Sequence, residues 1–140
     1  TREGRVIVRV RCIANTGQSF LEKTIENLGN SRESTMPLKI GEEYVVYGQM
    51  IYKDVLNYLV IGTYEQLPTW YPAEVFEITS SLMYYEEYYM YNKDVLIQAI
   101  WGFKELVLES EYVYRLVERE KWAVEIFLRR KKAIDEFEHD

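Results

Sequence analysis

All seven glycines and all three prolines lie at or before Gly102, so the last 38 residues run without a helix breaker. Within that stretch Val113, Leu116, Val117, Val124, Phe127 and Ile134 recur at helical spacing among charged residues, and Ser110 stands where an N-cap would open the run. Residues 104–138 therefore read as helical. The charged run Glu118–Lys121 interrupts the apolar stripe, so the pattern allows one long helix or two broken there. Upstream, glycine and proline cut the chain into short pieces, several of which carry the two-residue period of strands.

Residues 5–14 alternate Val6, Val8, Val10, Cys12 and Ala14 against Arg5, Ile7, Arg9, Arg11 and Ile13, the pattern of a half-buried strand. Phe20, Leu21, Ile25 and Leu28 suit one short helix over 19–28 that ends at Gly29, followed by a polar loop over 30–35. The segment 43–52 is apolar on both faces, which predicts a central strand, and Gly48 inside it predicts a bulge or bend. Lys53-Asp54 marks a turn before a strand over 56–61. Pro68 and Pro72 bracket Thr69-Trp70-Tyr71 as a short edge strand, and 75–78 follows as another. Five short strands within about 75 residues predict an α+β fold, in which a small curled antiparallel barrel over 5–79 is followed by a C-terminal helical segment that covers its open side. Residues 82–91 read as an extended aromatic strand, with a helix as the alternative, and 94–103 suit either state. With 140 residues the chain forms one domain, since two cores would be cramped.

The net charge of −6 is unevenly spread: residues 1–41 carry +3, residues 42–80 carry −5 and residues 81–140 carry −4. An acidic middle favours a cationic partner and works against nucleic acid or anionic lipid. Cys12 is the sole cysteine, so no internal disulfide argues for an oxidising compartment, and a cytoplasmic location is the expectation. The longest uncharged stretch, Val55 to Tyr64, is too short to span a membrane. Thr1 in place of a Met points to a trimmed start.

Candidate catalytic groups are sparse. The sole histidine, His139, sits in a charged tail, which speaks against histidine-based acid–base chemistry and histidine-containing zinc sites. Cys12 falls on the apolar face of its strand, where a thiol packs as a small apolar group. No phosphate loop, dinucleotide-binding glycine pattern, calcium loop or Cys-x-x-Cys is present. The carboxylate pairs Glu42-Glu43 and Glu86-Glu87 are adjacent in predicted strands, so each pair diverges to opposite faces. The stripe of Arg5, Arg9 and Arg11 suits ion pairs across the sheet. Arg129-Arg130-Lys131-Lys132 rings its helix and forms no single patch. No catalytic residue, metal site or cofactor is therefore assigned.

Aromatic side chains supply 15% of the sequence, and 13 of them are Tyr. Five fall between positions 84 and 91. On a strand, Tyr84 and Tyr88 take one face and Tyr85, Tyr89 and Tyr91 the other, and a domain of this size buries at most one of those faces fully. Tyrosine gives a large contact area at low entropic cost with a polar tip, which suits a protein interface. Tyr84, Tyr85, Glu86, Glu87, Tyr88, Tyr89 and Tyr91 are therefore the candidate partner-binding residues, with Trp70, Tyr71, Glu42 and Glu43 as a secondary surface. The competing reading packs both tyrosine faces, one on the barrel and one under the helices.

The run Pro68-Thr-Trp-Tyr-Pro-Ala-Glu-Val-Phe-Glu77, preceded by Gly41-Glu-Glu-Tyr-Val-Val-Tyr-Gly48, resembles SH3-like barrels. In those, an aromatic pair on a short strand is followed by Pro, a tight helical turn and an aromatic residue that opens the last barrel strand. The resemblance covers about 40 residues, and the acidic loop and peptide-groove motif of signalling SH3 domains are not recognisable. The whole chain, from Cys12-Ile-Ala-Asn-Thr-Gly17 to its charged final helix, is also similar in size, acidity and lack of catalytic residues to small bacterial proteins of the immunity type, cytoplasmic binders that neutralise a cognate toxin. These likenesses imply a non-enzymatic protein-binding module with a basic protein partner and no membrane association. A single-stranded nucleic-acid platform and an enzyme using carboxylates alone are the alternative readings.

Overall fold

A computed structural model describes residues 8–82 and 86–139, the side chains of residues 138 and 139 excepted. The chain is α+β, with two antiparallel sheets and a helical C-terminal part. The first sheet has three strands in the order β2 (Glu43–Val45), β1 (Arg9–Cys12), β6 (Phe76–Ser80). The second has five, in the order β5 (Thr69–Pro72), β4 (Val55–Val60), β3 (Gly48–Tyr52), β8 (Ile97–Gly102), β7 (Tyr88–Tyr91). The sheets do not close on each other, so the structure has two open sheets where a barrel was expected. The larger sheet is the middle layer. One face packs on the small sheet through Val10, Tyr58, Val60, Tyr71 and Phe76, and the other packs on the helices through Leu59, Ile100, Leu106, Tyr112 and Phe127.

The apolar segment 43–52 is not one strand. It leaves the small sheet after Val45 and enters the large sheet at Gly48, so its two halves serve different layers. Only the second half, β3, is central, flanked by β4 and β8; β2 is an edge. Of the bulge or bend expected at Gly48, the bend is present, where the chain passes from one sheet to the other. Gly48 faces Gly102 across the β3–β8 pair, and a Cβ on either would stand 2.5 or 2.6 Å from Leu106 Cδ2. The two glycines thus create the hollow into which Leu106, fully buried, inserts. The bulge lies instead between Ile51 and Tyr52. Lys53 and Asp54, with φ of 49° and 66°, close the β3–β4 hairpin as a two-residue turn with both centres left-handed.

Residues 94–103, open to either reading, supply β8, and among its described residues the aromatic segment contributes β7, four residues within the expected 82–91. Both strands extend the large sheet. Met83, Tyr84 and Tyr85 lie outside the described residues. The first strand is described only from residue 8 onward, so Arg5, Val6 and Ile7 lie outside as well. The helix predicted over 19–28 is shorter, α1 (Glu22–Leu28), after a 3-10 turn at Gly17–Ser19, and it ends at Gly29 with φ of 75°. Leu21 is exposed. A second 3-10 turn, Ala73–Val75, links β5 to β6.

The C-terminal part holds three helices: α2 (Lys104–Leu108), α3 (Tyr112–Val117) and α4 (Lys121–His139). Of the two arrangements the pattern allowed near Glu118–Lys121, the broken one is present, with Arg119 left-handed at φ 62°. A further break separates α2 from α3, and there Glu111, not Ser110, is the N-cap, with φ of 69° and no side-chain cap bond. No helix among the described residues is long and apolar enough to cross a membrane.

Candidate functional site

Strand β7 is an edge of the large sheet. Asn92 N–H donates to the Gln98 carbonyl at 2.8 Å, and this pair sets the alternation of the antiparallel ladder with β8. Tyr88 and Met90 then share bonds with Gly102 and Ile100, while the backbone groups of Tyr89 and Tyr91 point away from β8. Among the described residues no strand pairs with that outer side. Tyr88, Tyr89 and Tyr91 are 38%, 53% and 67% exposed.

A single row of side chains shows why this end of the sheet is bare. Tyr71, Tyr58, Gln49, Trp101 and Tyr89 lie in register across β5, β4, β3, β8 and β7, all on the face that meets the small sheet. Tyr71 and Tyr58 are buried, Gln49 and Trp101 half-buried and Tyr89 exposed. Tyr58 and Tyr71 belong to the core under the small sheet, and Tyr89 lies outside that core. Tyr89 stacks on Trp101 with ring centroids 5.1 Å apart and planes inclined by 37°, so the two form an aromatic shoulder beside the open edge. On the opposite face Met90 packs against the helical core.

The C-terminal end of β7 is tied down. Beyond its C-terminal end, Lys93 donates to the carbonyls of Val107 and Glu109 at 2.6 and 3.0 Å, which satisfies the end of α2, and burial lowers its pKa. Asp94 accepts from Leu96 N, Ile97 N and Tyr114 Oη at 2.8–2.9 Å. Burial alone would raise the pKa of Asp94, but these bonds bring it below its ordinary value. At the other end Glu86 is exposed and lies within electrostatic reach of Arg130, whose pKa is raised first by its bond to Glu105 and further by the Glu86 charge. Glu87 is half-buried. The C-terminal end of the edge is therefore held by fixed anchors, which lowers the ordering cost of docking onto it.

The structure distributes the other candidates widely. Tyr71 is buried, its hydroxyl donating to Glu65 at 2.7 Å, so it belongs to the core between the sheets and is no surface residue. Trp70 is half-buried on the opposite face of β5. Glu42 accepts from Thr63 Oγ1 at 2.7 Å and Tyr44 Oη at 3.2 Å, while Glu43 pairs with Arg11 at 3.4 Å, so the two carboxylates diverge. Arg11 also meets Glu77 at 2.9 Å. The Cys12 thiol is buried, donates to the Ala14 carbonyl, and has a pKa raised first by burial. The basic tetrad is divided: Arg130 grips Glu105 through two bonds, and Lys131 pairs with Asp135 at 2.6 Å. Among the described residues no three His, Cys, Asp or Glu side chains are grouped to hold a metal.

Sequence reasoning passed over Trp101 because the apolar run 95–97 and 99–101 offered no period. Only its pairing with Gln49 and Tyr89 places it at the edge. The chain matches no protein-family model, and neither a curated protein nor a solved structure matches it.

Proposed function

We infer that the chain is a non-enzymatic protein-binding module that offers the outer side of β7 to a basic partner. The carrying observation is the open edge itself: two tyrosines with outward-pointing backbone groups, flanked by Trp101 and preceded by two glutamates. A partner strand added there would gain main-chain hydrogen bonds and an aromatic contact together. Edge strands left bare are aggregation hazards, so a fixed, tyrosine-bearing one is better explained as an interface. The immunity type, in which a small acidic protein occludes a cognate toxin, is the functional class that this surface and the acidic middle of the chain favour.

The order of elements supports the likeness to SH3-like barrels. The chain bends from a strand of one sheet into a strand of the other, two further antiparallel strands follow, and a 3-10 turn leads to a strand that returns beside the first. The nucleic-acid reading is weakened because Arg11, which it would use, is engaged by Glu43 and Glu77.

Affinity capture with the tagged full chain from the native organism is the test. It should recover one basic protein at a stoichiometric level, and Tyr91→Pro should abolish the capture. That substitution removes an N–H which points away from β8, so the ladder within the sheet is kept. Recovery of RNA or a metabolite in place of a stoichiometric protein would overturn the proposal, as would undiminished capture by a folded Tyr91→Pro chain.

A further inference from the structure

On the other side of the large sheet, an open cleft of about 310 Å³ lies between β3–β5, the end of α1 and α3. That volume is at the lower end of the range for small-molecule sites, ~300–1,000 Å³. Tyr52, Trp70, Pro72 and Tyr114 give it flat walls, and Asn57 lies within it. Among the described residues no Asp, Glu, Lys or Arg lines it. A charged ligand would lose hydration there without a compensating charge.

Asn57 is the unexpected residue. It sits on β4 between Met50 and Pro72 in neighbouring strands, is only 4% exposed, and occupies a position where an aliphatic side chain would pack. Its Nδ2 donates to the Val55 carbonyl at 2.9 Å. A carbonyl can only accept, so that bond fixes the amide orientation and turns Oδ1 away from Val55. Among the described residues nothing donates to that oxygen. On the adjacent strand, two residue pairs along and on the same face, the Trp70 indole Nε1 is buried without an acceptor. Asn57 Oδ1 therefore stands at the wall of the cleft as an acceptor without a protein donor, within reach of a bound molecule.

We propose that this cleft binds a small, uncharged, flat molecule whose N–H or O–H donor meets Asn57 Oδ1 while its ring lies among Tyr52, Trp70 and Pro72. The cleft is on the helix-facing side of the sheet, away from β7, so this proposal is independent of the partner-binding reading.

Two probes decide it on the full ¹⁵N-labelled chain: 2-pyridone, with a ring N–H beside a carbonyl, and N-methyl-2-pyridone, which lacks the donor. Titration with 2-pyridone should shift the Trp70 indole and Asn57 side-chain amide resonances saturably, and the N-methyl compound should bind roughly tenfold more weakly, the loss of one good hydrogen bond. In Asn57→Leu the preference between the probes should vanish. Equal affinities for the two probes would overturn the proposal. So would shifts that grow without saturation, or shifts centred on Tyr89 and Tyr91. The comparison of probes on the unaltered chain decides the matter even where Asn57→Leu fails to fold.

Discussion

Glu105 receives two hydrogen bonds from the Arg130 guanidinium, at 2.7 and 2.8 Å, with both side chains at most one-third exposed. This bond, more than anything else, lowers the carboxyl pKa below its ordinary 4.5. The unfolded chain therefore binds a proton at Glu105 at a pH where the folded chain does not, and stability rises with pH across that window. The contribution is complete above about pH 4.5 and is lost as pH falls through the folded-state value. Asp94, lowered from 3.8, adds a loss of the same sign at lower pH. Glu105→Gln should cost about 1–2 kcal/mol at pH 7 and make the acid limb of a Tm-against-pH curve shallower. An unchanged acid limb would mean that the pair contributes nothing. The Gly48 position makes a second residue-scale test. Gly48→Ala places a methyl against the immobile Leu106 side chain, and overpacking of this kind should lower stability by about 1–3 kcal/mol in a urea titration.

At the scale of elements, the β3–β4 hairpin turns on Lys53 and Asp54, both left-handed, at positions where Asn and Gly are the favoured residues. Lys53→Asn should raise stability by about 0.5 kcal/mol, read as a higher Tm, because Asn tolerates this conformation better than Lys. The turn itself was legible from its two polar residues between apolar runs, as were β1 and the last helix from the one period each keeps, and β4 and β5 from the turn and the prolines that bound them. The split of 43–52 was not. Its residues are apolar on both faces whether they form one strand or two, and only the approach of Leu106 to the Gly48–Gly102 pair, distant in sequence, explains how closely the chain packs there. The addition of β7 and β8 to the large sheet was hidden for a related reason: an apolar run such as 95–97 with 99–101 fits a strand covered on both faces or a buried helix equally well. The candidate site was half legible. Density of tyrosine marked the region, whereas the open edge and the Trp101 shoulder follow from strand order, which no local pattern encodes. Asn57 stood in plain view as a polar residue within an apolar strand, yet its unused acceptor is visible only once Val55 claims its amide.

For the whole molecule, the large sheet is shared by two cores, one under the small sheet and one under the helices, so neither layer keeps its apolar face covered without it. Trp70 and Trp101 report on this sheet and Trp122 on α4, and unfolding followed by tryptophan fluorescence should coincide with far-UV circular dichroism in one transition. Charge acts at the same scale. With −6 overall and −5 concentrated in residues 42–80, the chain should draw a basic partner from beyond contact distance. Screening shortens that reach from about 10 Å at 0.1 M salt to about 3 Å at 1 M. The hydrogen bonds and ring contacts of the docked β7 edge act at short range and are far less sensitive to salt. The association rate with the captured partner should therefore fall at least tenfold between those two concentrations while the dissociation rate changes little. Stopped-flow measurement separates the two rates. A salt-independent association rate would show that the edge selects its partner by shape and backbone pairing alone, and would remove the basic-partner part of the proposal while leaving the interface in place.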